Sequence, residues 1–245
     1  MKRLLRLILC VVALICGMSL RGEEGGKTAA NAAATKLLAD ARAARVLYHD
    51  FPGFTADIEV NINGKVLRGT VDVSGKGEVA LKLEDAVAVK WAKNTLGSII
   101  GHRLSSGPDE ETPCAFVDEE EHHPLGRAIR VLNDEFHSSY RIRDRQVIVV
   151  NRHTPGSRFT ITVMENIRTK EEKFLPACFV VNTWGSGEAL ISSETHHQTW
   201  QRVGAFDLPK ETLTVKAIPG ETRTRKGERG KLTSASIKLS NVRLK

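Results

Sequence analysis

The amino-acid sequence predicts a mainly β protein of the α+β class, with a single curled antiparallel sheet or half-barrel of roughly 9–11 strands and two covering helices. Short segments that alternate apolar and polar residues recur from residue 51 to the C-terminus, and turn residues separate them. Only two segments change to the 3.6-residue period of an amphipathic helix. Together these observations indicate one antiparallel sheet rather than a parallel α/β fold.

The first helical segment is Thr28–Tyr48, which is rich in alanine and contains no proline or glycine. Leu37 and Ala41 fall at helical spacing, so one face can be buried. Pro52-Gly53 then ends the helical pattern.

A three-stranded meander follows at residues 51–83. Phe54–Ile62 alternates apolar and polar residues, which is typical of a half-buried strand. Asn63-Gly64 supplies the positive φ angles of a tight hairpin turn. We therefore expect the next strands at Lys65–Val73 and Glu78–Leu83.

The remaining pattern is one helix, one loop and a long series of strands. The pattern of Glu84–Ile100 predicts the second amphipathic helix. Residues 104–124 form an acidic segment that predicts a loop within the domain. A bulge near Ser240-Asn241 is needed to keep the last strand in phase. The later strands are predicted at Ile129–Leu132, Ser139–Ile142, Gln146–Asn151, Phe159–Val163, Ala177–Trp184, Glu188–Glu194, Leu213–Ala217 and Ala235–Leu244.

The N-terminus has the features of a secretion signal. Lys2, Arg3 and Arg6 precede an apolar run, Leu7–Gly17, which is shorter than the roughly 20 residues that span a membrane. A cleaved signal predicts a secreted or periplasmic protein. A lipid-modified Cys16 and an uncleaved anchor are the alternatives.

This interpretation divides the chain into a signal peptide at residues 1–22, a flexible start at 23–27 and one domain at 28–245. Removing residues 1–22 takes away four basic residues, so the net charge falls from +7 to +3. Because nucleic-acid binding needs a concentrated basic face, no nucleic-acid partner is expected. The basic segment 219–231 is interpreted as a solvated loop, with contact to anionic headgroups or an acidic partner as the alternative.

Two cysteines, Cys114 and Cys178, remain in the mature chain. An oxidising compartment permits one disulfide between them. Cys114 falls in the predicted loop and Cys178 in a predicted strand, so the sequence leaves both a bridge and two free thiols open.

No pattern of residues points to catalysis or to a cofactor. His122-His123 and His196-His197 are adjacent pairs, and adjacent residues on a strand face opposite sides, so neither pair readily gives two ligands to one metal ion. Ser186 lacks the spacing of a nucleophile elbow and is expected in a hairpin turn, while Glu110-Glu111 is expected in a loop. We therefore predict a protein that is not an enzyme and has no cofactor and no metal site.

The candidate site is the apolar concavity of the curled sheet. Such a concavity can hold an apolar ligand, or its own side chains can fill it. The residues expected to line it are Phe54, Ile58, Val60, Val71, Leu81, Trp91, Ile161 and Val163.

Five segments resemble domain-of-unknown-function family 3386, which implies a mainly secreted, antiparallel-β protein without an established activity. They are FPGFTADIEV (51–60), GKVLRGTVDV (64–73), SSYRIRDRQVIVVNR (138–152), RFTITVME (158–165) and LSNVRL (239–244). More distantly, the layout is similar to the lipoprotein-carrier (LolA-like) half-barrels, in which helices cover the mouth of an open half-barrel that holds acyl chains. That similarity concerns the fold, and a fold does not imply a function.

The function expected from these observations is that of an exported, monomeric, non-catalytic protein. Its expected partner is a lipid, another apolar small molecule or a cell-envelope protein. The first alternative is a structural or interaction module of the envelope with a filled core. The second is an enzyme with an unrecognised site, which clustering of His153, His196 or His197 with a carboxylate would support.

Overall fold

The structure is a computed structural model that describes residues 29–104, 112–185, 188–220 and 231–245. The predicted signal peptide at residues 1–22 and the flexible start at 23–27 lie outside the described residues. The same holds for Glu110-Glu111, Ser186 and residues 221–230 of the basic segment.

Twelve antiparallel strands form one continuous sheet that is not closed into a barrel. The predicted fold class is therefore confirmed, and the sheet has one strand more than the upper end of the predicted range. In chain order the strands are β1 (Gly53–Ile62), β2 (Lys65–Ser74), β3 (Val79–Lys82), β4 (Cys114–Phe116), β5 (Arg127–Val131), β6 (Ser139–Arg143), β7 (Gln146–Thr154), β8 (Ser157–Arg168), β9 (Phe174–Gly185), β10 (Leu190–Val203), β11 (Phe206–Ile218) and β12 (Lys231–Leu244).

The strand order across the sheet is β3-β2-β1-β12-β11-β10-β9-β8-β7-β6-β5-β4. Every neighbouring pair is also consecutive in sequence except β1 and β12, which pair from Phe54–Leu244 to Ile62–Ala235. The sheet is thus a long meander whose last strand returns beside the first.

The local turn chemistry follows the sequence. Asn63 and Gly64 have φ angles of 52° and 92° and form the predicted hairpin turn between β1 and β2. Asn241 has a φ angle of 51°, and the β1–β12 register shifts beside it, which confirms the predicted bulge.

Helix α1 (Ala32–Ala43) is shorter than the predicted Thr28–Tyr48. Asn31 caps its N-terminus by accepting hydrogen bonds from the amides of Ala33 and Ala34. After Ala43 the chain becomes extended, because Phe174 hydrogen-bonds to the backbone of both Ala44 and Val46. The segment that follows α1 is therefore fixed by pairing with β9 rather than by helix propensity.

Helix α2 (Ala86–Gly101) agrees with the predicted second helix. The Asp85 carboxylate caps it by accepting from the amides of Val87 and Ala88 at 2.9 and 3.0 Å. Ala88, Ala92 and Leu96 fall four residues apart and are fully buried, so one face of the helix packs on the sheet.

Strand β4 corrects the prediction of an unbroken loop at residues 104–124. Cys114 pairs with Val131 and Phe116 with Ile129, which adds a three-residue edge strand beside β5. Three residues are too few for an alternating pattern to be recognised in the sequence.

Both helices pack against the same face of the sheet, which we call the inner face. Beneath α2 the inner face forms a filled core in which Phe54, Leu96 and Ile100 have no exposed surface. Beneath α1 a second apolar cluster includes Leu38 and Ile129. Within the described residues, neither helix is long and apolar enough to cross a membrane.

Candidate functional site

A cavity of about 930 Å³ lies on the inner face between α1, the end of α2 and strands β6–β9. This volume is within the ~300–1,000 Å³ range of small-molecule sites in proteins. Its lining consists of apolar and basic side chains with a few neutral polar groups: Leu38, Ala41, Arg42, Arg45, His102, Arg103, Tyr140, Arg145, Gln146, Val147, Val150, Arg152, Phe159, Ile161, Val163, Asn166, Phe174 and Pro176.

The apolar wall of the cavity comes mainly from β7 and β8. Phe159, Ile161 and Val163 alternate along β8 and point to the inner face, as residues two apart on a strand must. Val150 of β7 is directly opposite Ile161. All four side chains are only partly buried, and α2 makes its main contacts with β1 and β3 instead.

The other wall is basic. Five of the eighteen lining residues are arginines, and none of the described residues at the cavity is aspartate or glutamate. Arg42 and Arg45 come from α1 and the segment after it, Arg103 follows α2, and Arg145 and Arg152 belong to β7 and the turn before it. The tertiary fold therefore collects positive charge from three separate parts of the chain.

Arg103 is the buried member of this group, with 7% of its surface exposed. Its Nη1 donates to the carbonyl oxygen of His102 at 3.4 Å, and its Nε has no hydrogen-bond partner among the described residues. Burial lowers the pKa of Arg103 to about 10, so the guanidinium still carries its charge at neutral pH.

The imidazole of His102 is held neutral beside this charge. Desolvation, followed by the positive charges of Arg103, Arg45 and Arg152, lowers the pKa of His102 below its usual range. The positive charges of three arginines from different parts of the chain therefore all lower the pKa of this one imidazole.

The other polar groups of the cavity have mixed partners. Arg42 donates to the Thr112 hydroxyl at 2.6 Å, and Asn166 donates to the Gln146 side-chain oxygen at 2.9 Å. Arg152 makes a 3.5 Å contact to the Tyr140 hydroxyl and lies over the Phe136 ring at 5.8 Å, and its charge helps to lower the pKa of Asp134. Its Nε has no hydrogen-bond partner among the described residues. Like Arg103, Arg152 forms no ion pair within the described part of the chain.

The structure divides the predicted site residues between the filled core and the cavity. Phe54, Ile58, Val60 and Val71 are buried in the core beneath α2, and Leu81 and Trp91 pack against that core. Only Ile161 and Val163 line the cavity. The predicted strand residues therefore share the inner face, and Trp91 lies on the helix that covers part of it, without all of them forming one site.

Sequence reasoning missed the arginines. Arg152 had a usable signal, because it lies two residues after Val150 and continues the inner-face alternation of β7 past the predicted strand end at Asn151. Arg103 had none, since its burial depends on where the end of α2 meets Tyr48 and Trp200.

The histidine pairs do not converge on a metal site. His196 stacks on Phe179 of the inner face at a ring distance of 4.6 Å, whereas the His197 Nε2 lies 4.0 Å from the Cys178 sulfur on the outer face. Within the four described ranges, no group of three or more His, Cys, Asp or Glu side chains could hold a metal ion.

The two cysteines are free thiols in the structure. Cys114 is buried in the cluster beneath α1, and that burial raises the pKa of its thiol. Cys178 is on β9, five strands away across the sheet and therefore roughly 24 Å distant at the usual strand spacing. The structure thus favours two free thiols over a disulfide.

Fold and cavity together define the class of protein: an open antiparallel sheet whose inner face is shared between two helices and a ligand-sized cavity. The chain matches the model of the DUF3386 family, described as a protein of unknown function, over residues 29–243, and it belongs to this family. This confirms the family resemblance found in the sequence segments.

Among solved structures, the chain is similar to a LolA superfamily protein from Nitrosomonas europaea, with 10% sequence identity and a TM-score of 0.35. The match covers 86% of this chain and 93% of the other. No curated protein matches the chain.

Proposed function

We propose that this protein is exported and non-catalytic, and that it binds a hydrophobic or lipid-like ligand in the cavity between α1, the end of α2 and β6–β9. The observation that carries this proposal is the partly exposed apolar wall of Phe159, Ile161 and Val163 in a cavity of about 930 Å³. A protein without a ligand has no evident need to leave this wall uncovered while α2 seals the neighbouring part of the same face.

The filled core beneath α2 supports the proposal that one part of the sheet stabilises the fold and another part forms the ligand site. Phe54, Leu96 and Ile100 have no exposed surface and can stabilise the fold without any ligand. The alternative function, a structural or interaction module of the cell envelope with a filled core, fits this region but leaves the cavity unexplained.

A non-catalytic role is supported by the surroundings of His196. Its Nδ1 lies 3.0 Å from the Thr214 hydroxyl oxygen and its Nε2 lies 3.8 Å from a Glu194 carboxylate oxygen. This order of groups could activate a hydroxyl nucleophile, but Thr214 is only 7% exposed and none of the three residues lines the cavity. Glu194 also binds Lys216 at 2.8 Å, which suits a structural ion pair.

Export is proposed from the basic and apolar pattern of residues 1–22. Intact-mass measurement of the protein from its native source tests it. A mature N-terminus near residue 23 is expected, and a full-length chain in the cytoplasmic fraction would contradict export.

Ligand binding is tested with an uncharged fluorescent probe, N-phenyl-1-naphthylamine, and with native mass spectrometry of the gently purified protein. Val163→Trp should cover part of the apolar wall of the cavity and weaken probe binding. The matched control is Thr162→Trp, because Thr162 lies next to Val163 on β8 and faces the other side of the sheet. Equal probe binding by both variants would count against the carrier proposal. The same holds if no apolar molecule co-purifies with the protein and none binds when it is added.

A further inference from the structure

The cavity combines an apolar wall with several arginine side chains. Among the described residues, its lining contains five arginines and no carboxylate. In a site of low dielectric constant, charges of one sign focus the field and raise the local concentration of the opposite ion. An apolar ligand without a charge would make no use of this feature.

Arg103 is the most informative of these residues. It is 7% exposed, its Nε has no partner within the described residues, and its charge is retained at neutral pH. Burying a charge is unfavourable unless it is paired and hydrogen-bonded. An oxyanion bound in the cavity would supply the missing counter-charge.

Arg152 places a second unsatisfied guanidinium at the boundary between the two walls. It lies directly opposite Phe159, and its Nε also lacks a partner in the described part of the chain. Two residues before it on the same strand is Val150, which faces Ile161. Charge and apolar surface are therefore adjacent along β7 and β8.

The apolar wall is long enough for an alkyl chain. From Phe159 to Val163 it extends four residues along β8, or about 13 Å. An elongated ligand could lie on this wall with one end near Arg152 and Arg103. The geometry of both walls thus matches a molecule with a single charged end.

We propose that the cavity binds an anionic amphiphile, an alkyl chain that ends in a carboxylate or phosphate, with the anion at Arg103 and Arg152 and the chain along Val150, Ile161 and Val163. This inference rests on the proposed ligand-binding function and specifies the ligand class for that same site. Guanidinium groups suit it because they form paired, charge-assisted hydrogen bonds to both kinds of oxyanion.

The test compares ligands of one chain length by displacement of N-phenyl-1-naphthylamine: hexadecanoate, hexadecyl phosphate, hexadecanol and hexadecyltrimethylammonium. Each is used below its solubility limit and, where it forms micelles, below its micelle concentration. Both anions should bind at least about tenfold more tightly than the alcohol, as expected for charge-assisted hydrogen bonds. The ammonium compound should bind more weakly than the alcohol. Carboxylate and phosphate affinities then separate a fatty acid from a phospholipid-like ligand.

Variants connect the effect to the arginines. Arg103→Met and Arg152→Met should each lower the affinity for both anions about tenfold relative to the affinity for hexadecanol. Arg68→Met is the control, because Arg68 lies on β2 in an exposed ion pair with Glu59. A cooperative unfolding transition, measured by circular dichroism, shows that each variant remains folded.

The outcomes separate the two proposals. If hexadecanol and the anions bind equally, the anionic class is wrong and the apolar carrier function stands. If no long-chain compound binds, both proposals are wrong. Inorganic phosphate is a further arm, and its binding as tightly as hexadecyl phosphate would show a free-anion site rather than an amphiphile site.

Discussion

The guanidinium of Arg103 lies over the indole ring of Trp200, 5.4 Å from the ring centroid. Trp200 is itself fixed, since its Nε1 donates to the carbonyl oxygen of Pro176 at 2.9 Å. A cation over an aromatic face recovers about 0.5–2 kcal/mol, which offsets part of the cost of burial without cancelling the charge. The contact therefore holds Arg103 at the cavity with its charge intact. A carboxylate partner in place of the indole would have neutralised that charge.

This arrangement predicts that Arg103 lowers the stability of the ligand-free protein. We expect the ligand-free Arg103→Met variant to be more stable than the natural protein by about 1 kcal/mol, because an apolar side chain of similar length replaces a buried, unpaired charge. Urea unfolding at pH 7.5 measures the difference. Arg68→Met should change the free energy of unfolding by less than about 0.5 kcal/mol. A loss of stability on replacing Arg103 would indicate a structural role instead.

The division between filled core and cavity predicts different costs for similar truncations. Leu96→Ala, beneath α2, should lower the free energy of unfolding by about 2–5 kcal/mol, because Leu96 has no exposed surface and its removal leaves an empty space. Ile161→Ala should cost about 1 kcal/mol or less, since its side chain already borders a cavity. Equal losses, measured by denaturant unfolding of ligand-free protein, would show that the cavity wall is packed in solution.

The sequence predicted the strands better than it predicted what covers them. Phe54–Ile62 and Phe159–Val163 show the same alternation, and both face the inner side of the sheet. Alternation reports which side chains share a face, but coverage of that face depends on where α2 packs. The residues beneath α2 and those of the cavity wall were therefore predicted together as one concavity.

The elements that differed from prediction are those fixed by distant contacts. Thr28–Tyr48 has uniform helix propensity, yet the helix ends at Ala43 because Phe174 pairs with the backbone that follows. β4 exists because Cys114 and Phe116 find partners on β5. By contrast, Asn63-Gly64 specifies its turn through local φ preferences alone, and that prediction is confirmed.

Two glycines of similar exposure should respond in opposite ways to alanine. At Gly69 on β2 a Cβ atom would collide with the carbonyl oxygen of Lys82, so Gly69→Ala should disrupt the β2–β3 pairing and destabilise the protein. At Gly97 in α2 a Cβ atom meets nothing within 4 Å, so Gly97→Ala should raise the free energy of unfolding by about 0.5–1 kcal/mol. Thermal unfolding of both variants measures the contrast. Tolerance of alanine at Gly69 would mean that β3 does not pair closely with β2.

His196 should contribute to acid sensitivity. Burial lowers the pKa of its imidazole below the usual value, and the nearby Glu194 carboxylate only partly opposes this shift. Glu194 in turn binds Lys216, which limits its effect on the imidazole. The folded protein therefore binds a proton at His196 less readily than the unfolded chain does.

The sign of the effect follows from this difference. The unfolded chain takes up a proton at His196 near pH 6.5, so the stability is complete above about pH 6.5 and falls as the pH decreases through the folded-state pKa. His102, whose pKa is also lowered, contributes in the same direction. We expect His196→Gln to flatten the dependence of the unfolding free energy between pH 7.5 and about pH 5. The glutamine can still accept a hydrogen bond from Thr214. If the natural protein and His196→Gln show the same slope, the imidazole is as easily protonated in the folded state as in the unfolded chain. The conclusion that His196 is buried on the inner face would then be wrong.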